Sequence, residues 1–385
     1  MNRLTLPLLR KPLPLLRQML SLFIGAFVCV TTSSGGQTVI KGRRSMVFES
    51  RVAQLIVDIA GGSFTNFHLR GQGLSPINWG ETEETTAPRP AGHFLCLDRW
   101  GAPSEAEEKN GMPFHGEAAH VVWQVLKAPE EKGGKVSAEM SAVLPLAGLN
   151  VKRRIELSNS GAFFTVKEEV TNTNKLGRLF NMVQHPTIGP PFLDERTVVD
   201  SNGRRGLMQG SPLPNPEEPS VYWPEGRKDG QTVNLRYLTD DHNPNVVSFT
   251  IDEEYGWVTA CNAEKGLMIG YLWKASEYPW FSAWRHTEKG KPFARGLEFG
   301  TTGLHQPYPI LVAKGRIFGR SLYEYLDANE TASKSFACFL FPIPKDYKGV
   351  ARLTYDGKEI VLHAREAGKS HDLKMKVGEL FPSHK

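Results

Sequence analysis

Residues 151–170 read VKRRIELSNSGAFFTVKEEV and give the strongest indication of how this chain folds. Valine, isoleucine, leucine and phenylalanine, which favour strands, stand on both sides of the tetrapeptide Ser158-Asn159-Ser160-Gly161. Asparagine, serine and glycine are typical of tight turns. The stretch therefore predicts two strands, Lys152–Leu157 and Ala162–Val170, joined in a hairpin.

Further strands are predicted on both sides of this hairpin. They are Arg51–Ile59, Val121–Val125, Val246–Ile251, Leu267–Trp273, Ser335–Phe341 and a hairpin around Asp356-Gly357. No long stretch repeats its apolar residues with a helical period, and the one helix predicted is short, around Arg320–Leu326. Many short strands that do not alternate with helices predict an all-β protein, a large antiparallel β-sandwich or barrel.

The N-terminus has the pattern of an export signal. Basic residues precede an apolar stretch from Met19 to Val30, and small residues follow it up to Gly36. Residues 1–36 are therefore predicted to be a signal peptide or an N-terminal anchor. Because the apolar stretch is short for a permanent span, we expect a secreted or periplasmic protein with no stable membrane span after cleavage.

The rest of the chain is predicted to form one β-sandwich body over residues 45–345. Residues 346–385 add a hairpin and a tail to the same domain. Three long polar segments, 82–92, 102–112 and 210–226, are predicted loops. Long ordered loops on a sandwich often build its binding face, so we expect them to shape a binding site.

Composition excludes several classes of protein. The 385 residues are 23% charged and 40% hydrophobic, and part of the net charge of +5 lies in the first 17 residues, so the mature body is near neutral. Nucleic-acid binding would call for a concentrated basic face, and no such partner is expected. Four cysteines, one of them in the leader, do not make a disulfide scaffold, and none has metal-binding spacing. No metal or cofactor is expected.

Three segments combine titratable residues with glycine, proline and aromatic residues, and they contain His115, His185 and Glu298. His115 and His120 are five residues apart among Pro113 and Gly116, so they do not match the helical zinc-protease motif. A histidine and a glutamate without a nucleophile or metal motif indicate general acid/base proton transfer. A single histidine beside proline and glycine is often an ordinary turn residue, and a single glutamate in an apolar strand is more often an edge residue, so the prediction depends on the residues taken together.

The order of these segments resembles that of the galactose mutarotase superfamily, the aldose 1-epimerases and their relatives, from about residue 48 to 344. The matching pieces are an opening strand with a Gly-Gly turn, two strands with a V-x-N turn, and three site segments. In this sequence they are Val57–Phe64, Arg154–Leu157, Val166–Asn172, His115-Gly116, His185-Pro186 and Gly296-Leu297-Glu298. The resemblance implies a galactose mutarotase-like sandwich.

The resemblance also implies roles for these residues. Glu298 would be the general base and His185 the general acid, while His115 and an arginine would bind the sugar. Arg89 lies about where that arginine falls, and Arg99 is its rival. The family's further acidic ligand has no clear counterpart, and Asp240 and Asp241 are the candidates. The residues after His115, Gly-Glu-Ala-Ala, depart from the pattern of the well-characterised epimerases.

Aromatic residues cluster just before Glu298, and such rings stack on the apolar faces of sugars. Pro279, Ser282 and Arg285 indicate a loop there, so Trp280 and Trp284 are predicted to bind the sugar; the alternative is that they fill the core. The leading hypothesis is a carbohydrate-binding isomerase that interconverts sugar anomers. The alternatives are a non-catalytic secreted carbohydrate-binding protein, or a polysaccharide-degrading enzyme with Glu117 as its second carboxylate.

Overall fold

The computed structural model describes residues 32–33, 37–79, 86–238, 244–365 and 371–381. Apart from Thr32–Ser33, the predicted leader over residues 1–36 therefore lies outside the described residues, as do Asp240 and Asp241. Neither helix in the described ranges has the length and apolar composition needed to cross a membrane.

Strands dominate the described chain. In chain order they are β1 Thr32–Ser33, β2 Gln37–Ile40, β3 Arg43–Glu49, β4 Ala53–Asp58, β5 Phe64–Leu69, β6 His93–Asp98, β7 Gln124–Lys132, β8 Lys135–Leu144, β9 Leu149–Ser158, β10 Phe163–Asn172, β11 Arg178–Ile188, β12 Val198–Ser201, β13 Arg205–Met208, β14 Val221–Tyr222, β15 Glu225–Lys228, β16 Gln231–Asn234, β17 Val246–Thr250, β18 Tyr255–Asn262, β19 Leu267–Lys274, β20 Trp280–Glu288, β21 Lys291–Gly300, β22 Arg316–Ile317, β23 Arg320–Ser321, β24 Glu324–Leu326, β25 Thr331–Pro342, β26 Val350–Tyr355, β27 Glu359–Ala364 and β28 Leu373–Lys376. The helices are α1 Glu105–Lys109 and α2 Tyr308–Lys314, and Ala118–His120 form a short 3-10 turn.

Two large antiparallel sheets make up the body. The first has thirteen strands in the order β1-β2-β3-β4-β5-β6-β11-β21-β20-β17-β13-β14, with β24 added to β11. The second has eight strands in the order β12-β18-β19-β25-β10-β9-β8-β7. The predicted hairpin of residues 151–170 is β9 and β10, at the middle of the second sheet. The predicted all-β antiparallel sandwich is confirmed.

The core lies between the two sheets, because alternate residues of each strand point to the same face of its sheet and one face of each sheet is turned inward. Along β9, Lys152 and Arg154 are exposed, whereas Val151 and Ile155 on the opposite face are fully buried. They belong to the same apolar cluster as Leu55, Phe67 and Leu97 of the first sheet. Burial of this cluster supplies the main driving force for the fold.

A chain of buried polar side chains crosses this core. Arg153 Nε donates to Glu168 Oε1 at 2.6 Å within the second sheet, and Gln184 Nε2 of the first sheet donates to Glu168 Oε2 at 2.6 Å. Gln184 Oε1 is 3.1 Å from His93 Nε2. Because Gln184 points into the core, the pleat of β11 points its neighbour His185 to the opposite face of the sheet.

The last three strands cover the outer side of the eight-stranded sheet. Leu353 and Ile360 of β26 and β27 share a buried cluster with Leu272 and Phe339 of that sheet. The buried carboxylate of Asp200 also accepts hydrogen bonds from Arg236 and Arg365 and from the Val350 N–H. These contacts join the C-terminal strands to the body.

Several local predictions are wrong. The predicted loop 102–112 contains helix α1, and only the last two residues of the predicted strand Val121–Val125 lie in a strand. The predicted helix at Arg320–Leu326 is instead the short strands β23 and β24, and β24 pairs with Arg178–Phe180 of β11. Helix α1 begins with a capping box formed by Ser104 and Glu107, whereas α2 has no side-chain cap and carries a proline, Pro309, in its first turn. The predicted loop around Trp280 is strand β20, in which Pro279 only marks the start.

Candidate functional site

The candidate site is a cleft of about 760 Å³ on the face of the thirteen-stranded sheet that points away from the core. Four adjacent strands, β6, β11, β21 and β20, form its floor. Phe94 lies opposite His185, and Ser282 lies opposite Glu298. Between β11 and β21, Gln184 pairs with Phe299, and this antiparallel register places His185 beside Glu298. One row across the sheet therefore brings together residues far apart in sequence.

Glu298 lies at the centre of this row and is 1% exposed. Its Oε2 accepts a hydrogen bond of 2.7 Å from the Trp100 indole N–H, and its Oε1 is 3.4 Å from His185 Nε2. Burial raises the pKa of the Glu298 carboxyl to about 8, although the Trp100 hydrogen bond acts in the opposite direction. Glu298 is thus a carboxyl group with a pKa close to neutrality, as general acid/base catalysis requires.

His185 is held on three sides. Its ring stacks on Phe94 with centroids 4.3 Å apart, its Nδ1 lies 3.1 Å from Thr187 Oγ1, and its Nε2 faces Glu298. Burial lowers the pKa of the His185 imidazole to about 3. At neutral pH the Glu298–His185 pair therefore shares one proton, which rests mainly on Glu298.

His115 lies in a tight turn with a left-handed backbone, φ 67°. Its own N–H donates to the Gly101 carbonyl at 2.9 Å, and the Gly101 N–H donates to His115 Nδ1 at 3.1 Å. Because Nδ1 accepts, the proton of the neutral ring is on Nε2. The next residue must be glycine, since a Cβ on Gly116 would collide with the Leu97 carbonyl. Burial, together with the nearby His185 and His305, lowers the pKa of His115.

His305 is a cleft residue that was not predicted from the sequence. Its ring packs edge-on against Trp100, 4.7 Å between centroids, and lies 5.5 Å from the His115 ring. Its backbone N–H donates to Gln209 Oε1, and burial lowers the pKa of its imidazole to about 4. The described residues contain no group of three His, Cys, Asp or Glu side chains arranged to hold a metal ion.

Aromatic side chains form the walls of the cleft. Trp284, which was predicted to bind the sugar, lines it and meets the His185 ring edge-on at 5.7 Å. Trp79 packs edge-on against Trp284 at 5.9 Å, and Phe114 lies half-exposed at the rim. Such walls suit a ligand with apolar ring faces.

Trp280 does not line the cleft. It is 0% exposed and packs with Leu304, Leu311 and Leu322 in a separate apolar cluster. Trp280 and Trp284 point to the same face of β20, but helix α2 and its flanking residues cover Trp280. In this structure it is a core residue that cannot stack on a ligand in the cleft, contrary to the expectation from the sequence.

The two candidate arginines also lie outside the cleft lining. Pro90 reaches the cleft, but the Arg89 carbonyl packs on Gly61 and its side chain is not part of the lining. Arg99 is buried and pairs with Asp98 and Glu107 at 3.0 and 2.7 Å. Within the described part of the chain, the arginine that does line the cleft is the exposed Arg227 of β15. A sugar-binding role for Arg89 stays a prediction.

Glu117, the proposed second carboxylate, is engaged by backbone outside the cleft. Its Oε2 accepts a hydrogen bond of 2.6 Å from the Ala147 N–H, and the residue does not line the cleft. In the described ranges Glu298 is the one carboxylate of the cleft lining. Asp240 and Asp241 lie outside those ranges.

Solved structures share this architecture at low sequence identity. A galactose mutarotase-like protein from Clostridium acetobutylicum is 14% identical, with a TM-score of 0.56 over 80% of this chain and 98% of that one. A galactose mutarotase-like protein from Lactobacillus casei is 12% identical, with a TM-score of 0.55 over 77% and 100%. A galactose mutarotase related enzyme from Lactobacillus acidophilus is 11% identical, with a TM-score of 0.55 over 77% and 97%.

The chain therefore has the galactose mutarotase-like fold. Residues 95–308 match the model of the family described as Domain of unknown function (DUF4432), and the chain belongs to this family. The matched segment runs from β6 to α2 and includes His115, His185, Glu298 and His305. No curated protein matches the chain in sequence.

Proposed function

We propose that this protein is a sugar isomerase that interconverts the anomers of a free aldose by general acid/base catalysis. The observation that carries the proposal is the buried Glu298–His185 pair, whose Oε1 and Nε2 atoms are 3.4 Å apart at the floor of an aromatic cleft. Proton donors and acceptors with opposite shifts in pKa, side by side, are the arrangement that acid/base chemistry requires.

The pair fits the chemistry of a cyclic hemiacetal. The anomeric hydroxyl oxygen and the ring oxygen are both bonded to C1, so two adjacent groups can reach both at once. Glu298 takes the proton of the hydroxyl while His185 gives one to the ring oxygen. The C1–ring oxygen bond breaks and the aldehyde C=O forms. Rotation about C1–C2 and the reverse proton transfers then close the ring on the other face.

The reactive form of the pair has the same number of protons as the resting form. Movement of the shared proton from Glu298 to His185 gives a carboxylate and an imidazolium, the base and the acid of the first step. The Trp100 hydrogen bond to Glu298 Oε2 stabilises the carboxylate in this form. No proton has to enter from solvent during turnover.

The remaining cleft residues suit sugar binding. His115 Nε2 carries a proton and can donate it to a sugar oxygen. Trp79 and Trp284 offer ring faces for the apolar side of the sugar. An exported protein would act on free sugars, and this setting is part of the proposal; mass spectrometry of the mature N-terminus checks it.

Binding without turnover is the second candidate function. It is favoured by the sequence after His115, which departs from the pattern of the well-characterised epimerases. There the Glu117 carboxylate accepts a hydrogen bond from the Ala147 N–H and does not line the cleft. A polysaccharide-degrading enzyme is disfavoured, because glycosidases use a pair of carboxyl groups that flank the scissile bond and the described cleft residues supply one.

Polarimetry on freshly dissolved single anomers of a panel of aldoses tests the proposal. The wild type should speed the approach to equilibrium for at least one aldose, and Glu298→Gln should abolish this effect. Glu117→Gln is the matched control, because it changes a buried glutamate outside the cleft and should retain activity. A Glu298→Gln variant as active as wild type would refute the assigned base. Sugar binding with no rate effect would establish the second function.

A further inference from the structure

The segment that follows β6, Trp100-Gly101, contacts three titratable side chains of the cleft. We propose that it is a positioning element: Trp100 fixes the orientation and ionisation of Glu298, and Gly101 fixes the ring of His115. The inference concerns the same cleft as the proposed function and rests on it for the consequences for turnover.

The Trp100 contact gives the two carboxylate oxygens of Glu298 different partners. The indole N–H holds Oε2 at 2.7 Å, which leaves Oε1 to face His185. Trp100 is 2% exposed, so water does not compete for the bond. A donor aimed at a buried carboxylate stabilises the charged form and lowers the pKa that burial raises.

Other buried tryptophans of the chain show that this contact is unusual. The Trp123 indole N–H donates to the Ala118 carbonyl at 2.8 Å, and that of Trp273 donates to the Tyr278 carbonyl at 2.9 Å. In both cases a backbone carbonyl nearby in sequence accepts from the indole N–H, which is how buried polar groups are ordinarily satisfied. The N–H of Trp100 instead reaches a side chain 198 residues away, at the reacting end of the cleft.

Gly101 holds His115 through two hydrogen bonds, one in each direction. The bond from the Gly101 N–H to Nδ1 orients the ring and places its proton on Nε2, the nitrogen available to a ligand, while the backbone bond holds the turn that carries the ring. Gly101 has φ 99°, and a Cβ there would lie 2.9 Å from the His305 ring. This position therefore requires glycine, and any side chain would disturb two of the cleft histidines.

Trp100→Phe tests the role of Trp100, because it removes the indole N–H and keeps an aromatic ring. The Glu298 pKa is followed by carboxyl infrared difference spectra, with Glu298→Gln as the subtraction. We expect a pKa about one to two units above that of wild type, the size of a lost hydrogen bond to a charged group. Trp79→Phe is the control, since it alters a cleft tryptophan that does not bond Glu298 and should leave this pKa in place.

A Glu298 pKa in Trp100→Phe equal to that of wild type would overturn the role assigned to Trp100. If the variant does not fold, benzothienylalanine at position 100 replaces the N–H by sulfur in the same ring shape and should give the same upward shift. The titration needs no turnover. A wild type without exchange activity therefore refutes the proposed function, whereas an unmoved titration refutes this inference.

The role of Gly101 is tested with Gly101→Ala. Displacement of His115 should raise KM for the sugar, or the Kd if there is no turnover, about tenfold, while the Glu298 titration stays near wild type. Trp100→Phe should show the opposite split, with a lower kcat and a nearly unchanged KM. Sugar affinity retained in a folded Gly101→Ala variant would contradict the role of Gly101.

Discussion

His185 Nε2 and Glu298 Oε1 lie 3.4 Å apart, on neighbouring strands of one sheet, with no polar side chain between them. Burial moves their pKa values in opposite directions, to about 3 for the imidazole and about 8 for the carboxyl. The pair consequently holds one proton across the physiological range.

The rate of anomer exchange should depend on pH through this pair. Catalysis needs the singly protonated pair, which persists from about pH 3 to about pH 8. We expect kcat/KM to be flat between pH 5 and 7 and to fall tenfold per unit well above pH 8. Rates are measured by polarimetry after subtraction of the uncatalysed rate at each pH. A rate that keeps rising from pH 8 to 10 contradicts this ionisation scheme.

Ionisation of the buried Glu298 carboxyl should destabilise the folded protein at alkaline pH. Its pKa of about 8 is above the ordinary value of 4.5, so between these values the folded protein binds more protons than the unfolded chain. The free energy of unfolding therefore falls as pH rises from 4.5 to 8. Glu298→Gln removes this loss and should be more stable than wild type above pH 8, by on the order of a few kcal/mol. Urea unfolding at pH 4 and pH 8.5 measures the difference, and a difference that does not change with pH would rule the effect out.

The two tryptophans of β20 should respond differently to truncation. Trp284→Ala removes a wall of the cleft and should raise KM or Kd for the sugar at least severalfold, with a modest change in stability. Trp280→Ala opens a cavity in a buried cluster and should cost about 3–5 kcal/mol of stability with little change in sugar affinity. Calorimetry and sugar titration of both variants separate these effects. Loss of sugar binding in a stable Trp280→Ala protein would return Trp280 to the site.

His305 should contribute one sugar contact. His305→Gln shortens the side chain and should weaken binding roughly three- to tenfold, the size of one neutral hydrogen bond. His68→Gln is the matched control, because His68 lies on β5, bonds Asn66 and does not line the cleft. Isothermal titration with the best substrate measures both variants. Equal affinities for the two would remove His305 from the binding residues.

The strand content was accessible from sequence because strands leave a local signal. The turn at Ser158–Gly161 and the apolar residues around it predicted β9 and β10 within a few residues. The segment Arg320–Leu326 was mispredicted because it is too short for its pattern to separate a helical turn from two brief strands. Its state is decided by the pairing of β24 with the distant β11.

The site was only partly accessible from sequence, for a related reason. The ordered set His115, His185 and Glu298 pointed to three groups that line one cleft. Trp100 and His305 carry no such motif, and their importance comes from the register of strands far apart in the chain. Trp280 was assigned to the site because Pro279, Ser282 and Arg285 indicated a loop, and nothing local in the sequence reveals that α2 covers this residue.

Exchange spectroscopy by NMR on the two anomers of an aldose at equilibrium detects the proposed interconversion itself. At pH 7 the wild-type protein should produce exchange cross-peaks between the anomeric protons, whereas Glu298→Gln at the same concentration should produce none above the protein-free sample. Equal exchange with wild type and Glu298→Gln, or no exchange with either on the whole panel of aldoses, would refute anomer exchange by Glu298 and His185.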